Sequence, residues 1–298
     1  MLTPALLSIE KWDELDPAEK TKIARNLRLN APLTFRELRL ILLSNNQTRH
    51  MAIYEGCDGE FVLLPGAEMV LGYDPERLPA LSPAQLRRYN KDRRDFHLPE
   101  LSVFLRQSLW PTRTVHIMPF LIETKPFEVT LYPNNDPNCD PLVALRRGRV
   151  WRPHPEVFCR ASTTITLPRL QSALEASGLS LPTHDEWEYA CRGLARTLYH
   201  WGDFAPSDCY PTDSVQFRAH LEPNNFGLVI ASDPYKIELT TTSRVTGGGD
   251  GGAFIFEEAG FFLGWFTLAC SYRNNTEPLL DRLSGEHVRR VCHIKGYG

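Results

Sequence analysis

Apolar positions along this chain change period several times, and each change marks a boundary. In the first fifty residues they recur at helical spacing. Asp16 stands before Pro17, with Glu19 three positions on, a capping box that opens a helix. Thr34 and Glu37 repeat the arrangement ahead of Leu38, Ile41 and Leu42, which predicts a further helix over the stretch TFRELRLILL. Residues 1–50 therefore read as a helical N-terminal extension packed on a main domain that covers 51–298.

From Tyr54 the period shortens. EFVLLPGAEMVLGYD has two strand-like runs around Pro65-Gly66, the pattern of a hairpin. Residues 74–110 are rich in Pro and Arg and read as a partly helical insertion, and TVHIMPFLIETKPFEVTLY as two short strands around Lys125-Pro126. Proline and weak periodicity mark 133–160 as loop. Helical spacing then returns. TLPRLQSALEASG places Leu167, Leu170 and Leu174 on one face and stops at Gly178. LPTHDEWEYACRG follows, with Thr183 as cap, Glu186 as its capping-box partner, Gly193 beyond the end, and Trp187, Ala190 and Cys191 facing inward. Past residue 200 helical signals fade into irregular chain with short strands.

Composition narrows the function classes. The chain has 298 residues, 42% of them hydrophobic, so a sizeable core needs no staples. A net charge of -3 gives no bulk attraction for nucleic acid or an anionic membrane, and neither is expected as a partner. The basic run Arg87, Arg88, Lys91, Arg93, Arg94 reads as a solvated helix face. No window is as long and apolar as a membrane span, and the opening segment meets acids early, without the apolar stretch of a secretory signal. The seven cysteines are odd in number, scattered and free of C-x-x-C spacing. Reduced thiols and a cytoplasmic location are expected.

The segment from Leu181 to Asp203, LPTHDEWEYACRGLARTLYHWGDF to its last residue but one, resembles the signature of the formylglycine-generating enzyme family, also called the sulfatase-modifying factor family. Shorter matches keep the family's order: FVLLPGAEMVLGYD, PFLIETKPFEVT, PNNFGL at 223–228, SRVTGGGDGG, CSYRNNTEP and VRRV at 288–291. The resemblance implies an α+β fold of the variant C-type-lectin kind, with few helices, small twisted antiparallel sheets and much ordered loop. Enzymes of the family hold copper between two cysteine thiolates and use O2 to turn a substrate cysteine into formylglycine; relatives use iron, and others with this fold are binding proteins.

Residue by residue, the resemblance implies that the chemistry has been lost. With Arg273 in register, the two cysteine positions fall near Gly260 and Trp265, and neither is cysteine. Cys270 is the one cysteine nearby, and in the apolar run WFTLACSY it reads as a buried thiol. For the family's calcium site, Glu238 is the acidic position that remains; the six to eight oxygens calcium takes are hard to reach, which leaves calcium a possible ligand of a degraded site. His287, Cys292 and His293 are weak candidates for another metal site, against a solvated tail. VRRV places Arg289 where the family has Phe, which implies that this segment packs differently. Trp187, Glu188 and Arg192 read as scaffold.

What remains is the former substrate groove. Its expected walls are Asp250, Phe254, Phe256, Glu257, Phe261, Trp265, Arg273, Asn274 and Asn275, the aromatics serving either as ligand anchors or as a second core. Two functions follow as expectations. One is a non-catalytic binding or accessory module for a peptide, protein or small-molecule ligand, with no catalytic residues and no cofactor. The other is a copper- or iron-dependent oxidase, acting on a peptide or small thiol through a rearranged Cys/His site.

Overall fold

The computed structural model describes residues 7–43, 46–74, 81–129, 141–150, 165–242, 245–253, 260–274, 283 and 285–296, and the backbone of 131–133 and 158–160. Alternation of side chains builds its largest sheet. Five strands lie in the order β1 (Thr34–Leu42), β2 (Thr48–Gly56), β3 (Gly59–Leu64), β6 (Phe120–Glu123) and β13 (Val291–His293), each antiparallel to its neighbour. Met51, Ile53, Val62, Leu64, Phe120 and Ile122 enter one core, and Ala52, Tyr54, Phe61, Leu63, Leu121 and Cys292 enter another on the opposite face. A sheet buried on both faces needs a cover on each.

Helices α1 (Ile9–Glu14) and α2 (Pro17–Arg25) cover the second face. Trp12 is wholly buried there and donates its indole N–H to the His50 carbonyl at 2.9 Å; the Tyr54 hydroxyl donates to the Ala24 carbonyl at 2.7 Å. The capping box of Asp16 and Glu19 is present. Helix α7 (His184–Arg192) covers the first face with Trp187, Tyr189, Ala190 and Cys191. It too has its capping box, between Thr183 and Glu186, and ends on Gly193 at φ 54°.

Two expectations are overturned here. The helix expected over 34–43 is strand β1, paired with β2 from Thr34↔Glu55 to Leu42↔Thr48. Thr34 and Glu37 fit a cap pattern, but cross-strand pairing with β2 gives Thr34, Phe35 and Glu37 to Leu42 a partner, Arg36 being passed over at a bulge, and tertiary context overrides local propensity. The first fifty residues thus contribute a strand to the main sheet, and position 50 falls inside β2. Nor do the runs around Pro65-Gly66 form a hairpin. β3 pairs with β2 and β6, whereas β4 (Ala67–Leu71) pairs with β5 (Arg113–Ile117). Gly66 makes the crossover, its N–H donating to the Leu7 carbonyl and its carbonyl accepting from the Ile9 N–H, both at 2.8 Å.

A second sheet has the order β11 (Thr246–Gly248), β10 (Ile237–Leu239), β12 (His287–Val288) and β7 (Phe127–Glu128). Helices α5 (Pro141–Arg146) and α6 (Leu167–Glu175) pack with it through Leu142, Leu145, Leu170 and Leu174. Helix α5 lies within the segment expected to be loop. The Pro- and Arg-rich insertion holds helices α3 (Pro83–Asp95) and α4 (Leu101–Ser108), which meet α8 (Phe261–Phe266) in an aromatic core around Tyr89, Phe104, Phe262 and Phe266. Eight helices and thirteen short strands among the described residues make an α+β architecture.

Two adjacent arginines join the sheets. Arg289 and Arg290, between β12 and β13, are both 0% exposed. Arg289 grips Glu238 through two hydrogen bonds of 2.8 Å and donates to the carbonyls of Glu123, Thr124 and Val229. Arg290 grips Glu123 at 2.6 and 2.9 Å and donates to the carbonyls of Cys57 and Gly148. Guanidinia can be buried at such positions because every face of the fork finds an acceptor. None of the helices among the described residues is long and apolar enough to cross a membrane.

Candidate binding surface at the head of helix α7

Helix α7 spans much of the 181–203 segment, and a cluster of charged and polar side chains gathers around its first turn. Glu188 is 0% exposed and holds the helix to the loops: its Oε1 accepts from the Gly72 N–H at 2.7 Å and from Arg192 Nε at 2.8 Å, and its Oε2 accepts from Arg113 Nη2 at 2.9 Å. Arg113, on β5, also binds Asp185 at 2.6 and 2.8 Å. On the inner side, Trp187 lies against Gly247, where an added Cβ would stand 2.2 Å from the indole, and donates to Glu238 at 2.9 Å.

That geometry decides the metal candidates. Burial pushes the Glu238 carboxyl up, but the Arg289 guanidinium and the Trp187 N–H together bring it below the ordinary value. A guanidinium therefore fills the place a calcium ion would need, and the residues present do not fit that ion. His287, Cys292 and His293 are dispersed. Cys292 sits in the core under α1 and α2, where its sulfur accepts from the Ala31 N–H at 3.4 Å. His293 turns the other way to Glu186 at 2.8 Å, which raises its pKa, and His287 lies in the second sheet with burial lowering its pKa. Among the described residues no three of His, Cys, Asp and Glu gather as a metal site.

Cys270 is 0% exposed, as its apolar run suggests. Spacing along the chain gave it no partner, and here the structure corrects the expectation. Cys191 on α7 is its neighbour and is equally buried; burial first, and Cys270 second, push the Cys191 thiol well up. Two sulfurs from distant parts of the sequence thus meet.

The expected groove is partly rearranged. Phe254, Phe256, Glu257 and Asn275 lie outside the described residues. Trp265 is fully buried and donates to the Cys209 carbonyl at 2.8 Å, so it belongs to the aromatic core rather than to a groove wall. Phe261 meets Tyr210 edge-on at 4.6 Å and lies under Arg88. Asp250 and Asn274 are buried: Asp250 accepts from the N–H groups of Gly252 and Ala253, and Asn274 donates to Thr246 at 3.3 Å.

Arg273 stands apart from these. It is exposed, its guanidinium lies over the Trp110 ring at 4.9 Å, and among the described residues no carboxylate pairs with it. Backbone bonds set this overlap: Trp110 N–H donates to the Ser271 carbonyl at 2.9 Å and Arg273 N–H to the Ser108 carbonyl at 2.7 Å. The other face of the patch is His184, whose ring centre is 4.9 Å from that of Trp110 and whose pKa burial lowers. Trp110 Nε1, Arg113 Nη1, both ring nitrogens of His184 and Ser271 Oγ are shielded from solvent and find no hydrogen-bond partner among the described residues. Each such group costs about 1–3 kcal/mol when left unsatisfied, so five such atoms on four neighbouring residues are a feature to be explained. The α7 head also lines a cleft of about 290 Å³, together with Ile117, Met118, Ile294, His116 and His293, and Asp185 borders both this cleft and the patch.

Trp110, Arg113 and His184 were not singled out from sequence. His184 and Asp185 stand where the resembled signature reads Glu-Ala, and that departure inside the best-conforming segment was the available signal. Comparison of the sequence with known family models and with curated proteins gives no match.

Proposed function

We propose that this chain is a divergent relative of the formylglycine-generating enzymes, with their variant C-type-lectin fold, and that it acts as a non-catalytic binding or accessory module in the cytoplasm. Its ligand is a peptide, a protein or a small molecule held at the head of α7. The observation that carries this reading is the unpaired guanidinium of Arg273 on Trp110, among polar groups that have no partner within the described fold. Support for the lineage comes from the 181–203 segment, which supplies α7 and the buried anchors Trp187 and Glu188. Support for a reducing compartment comes from the free thiols of Cys57, Cys191, Cys209, Cys270 and Cys292.

A second reading, a copper- or iron-dependent oxidase, has one observation in its favour. Cys191 and Cys270 together present the two soft donors that Cu(I) accepts in linear geometry, and copper bound there would supply O2 chemistry. Against it stand the complete burial of both sulfurs and the raised thiol pKa of Cys191, which disfavour the thiolate a metal requires. Titration of the reduced protein with Cu(I) and Fe(II) separates the two readings. The binding-module reading expects no stoichiometric uptake that depends on Cys191 or Cys270, and no mass change in a Cys-x-Pro-x-Arg peptide incubated with the protein and O2. Tight uptake abolished in both Cys191→Ser and Cys270→Ser, or conversion of the peptide, sinks it.

A further inference from the structure

We infer that the patch formed by Trp110, Arg113, His184 and Arg273 is a carboxylate subsite; this rests on the reading of the chain as a binding module and assigns the class of its ligand. The first argument is hydrogen-bond inventory. An indole N–H and a guanidinium are donors only; the exposed guanidinium of Arg273 is the group open to a ligand, and Trp110 Nε1 and Arg113 Nη1, shielded from solvent and without partners, add donor character behind it. A complementary ligand must bring acceptors.

The second argument is charge. Arg113, Arg192 and Arg273 stand against Asp185 and Glu188. Arg113 and Arg192 are already committed to those two carboxylates, so the surplus is the single positive charge of Arg273. A carboxylate matches it in charge and offers two oxygens to the planar fork. A phosphate dianion would overshoot and place the excess next to Asp185, whose side chain is 40% exposed.

The third argument is preorganisation. The Trp110 ring beneath Arg273 holds the guanidinium plane in position, and the backbone bonds between 108–110 and 271–273 hold the ring. The ligand therefore spends little in ordering its receptor. His184 and the half-exposed Asp185 form the mouth, and Asp185 disfavours ligands with a second negative charge close to the first.

The carboxylate can belong to a peptide or to a small organic acid, and calorimetry on the full chain distinguishes these sources. The probes are hippurate, a short peptide with a free C-terminal carboxylate, the same peptide as its C-terminal amide, and inorganic phosphate. Saturable binding of hippurate or of the free-acid peptide supports the assignment and names the source. Amidation and the Arg273→Gln substitution are each expected to weaken that binding at least about tenfold, as removal of a charge-assisted hydrogen-bond pair does. Trp110→Phe, which keeps an aromatic face but removes the N–H, should weaken it less. Failure of every carboxylate to saturate, equal binding of acid and amide, unchanged affinity in Arg273→Gln, or phosphate binding as tightly as the carboxylates overturns it. Conversion of a cysteine peptide would instead overturn the binding-module reading without touching these binding ratios.

Discussion

Arg289 and Glu238 show how a buried charge organises its surroundings. Arg289 places a cation at 0% exposure, and Glu238 answers it with two 2.8 Å bonds. Putting an aromatic at this position alone leaves the buried Glu238 carboxylate without its cation. Arg289→Phe is therefore expected to destabilise the fold by about 3–5 kcal/mol in urea unfolding, while Arg289→Phe with Glu238→Leu recovers much of that loss. Additive losses in the double mutant would show that the two side chains are not coupled. Gly247 is the second residue whose identity is dictated by contact. With the Trp187 ring 2.2 Å from any added Cβ, Gly247→Ala must displace the indole from Glu238, and about 1–3 kcal/mol of overpacking strain is expected in the same assay.

At the scale of the element, legibility followed local chemistry. Helices α2 and α7 are readable because their caps are written in the sequence, as Asp16 with Glu19 and Thr183 with Glu186, and α6 because Leu167, Leu170 and Leu174 keep helical spacing up to Gly178. Thr183→Ala should cost about 1 kcal/mol, measured by thermal unfolding, because it leaves the Glu186 N–H without its acceptor. Strand β1 was misread because TFRELRLIL satisfies both periods over a few residues, and only β2, which follows it in sequence, decides between them. Helix α8 was missed for a different reason. It has six residues, no side-chain cap and a glycine inside, so it persists through burial of Phe262, Trp265 and Phe266 and not through propensity. The candidate site was legible in one residue, Arg273. Its companions Trp110 and Arg113 come from the far side of an insertion, and the meeting of Cys191 with Cys270 spans too much chain for any spacing rule.

At the scale of the whole molecule, buried histidines set the acid limit of stability. Burial, aided by His220, lowers His200 to about 4 from the ordinary 6.5, and burial lowers His220 as well. Above pH 6.5 both are neutral whether the chain is folded or not, and they cost nothing. As pH falls through 6.5 the unfolded chain takes up protons that the folded chain refuses until about 4, so stability is lost across that window. For His200 alone the loss at pH 5 is about 2 kcal/mol. The His293–Glu186 pair acts with the opposite sign: its raised pKa contributes stability below the ordinary histidine range, which is lost as pH rises through the raised value. Urea midpoints measured at pH 7.5 and 5 should therefore fall with acid in the native chain, and fall less in His200→Gln.

The paired arginines also bear on how such a chain reaches its folded state. Glu123 and Arg290 are 167 positions apart, yet their contact sits where two sheets join. Until that loop closes, a carboxylate and a guanidinium are each committed to water, and the edges of β6 and β7 have no β13 or β12 to pair with. Closure of so long a loop is slow on entropic grounds. Refolding from urea is expected on a timescale of milliseconds to seconds and not microseconds, with the last signal to appear coming from residues 287–294.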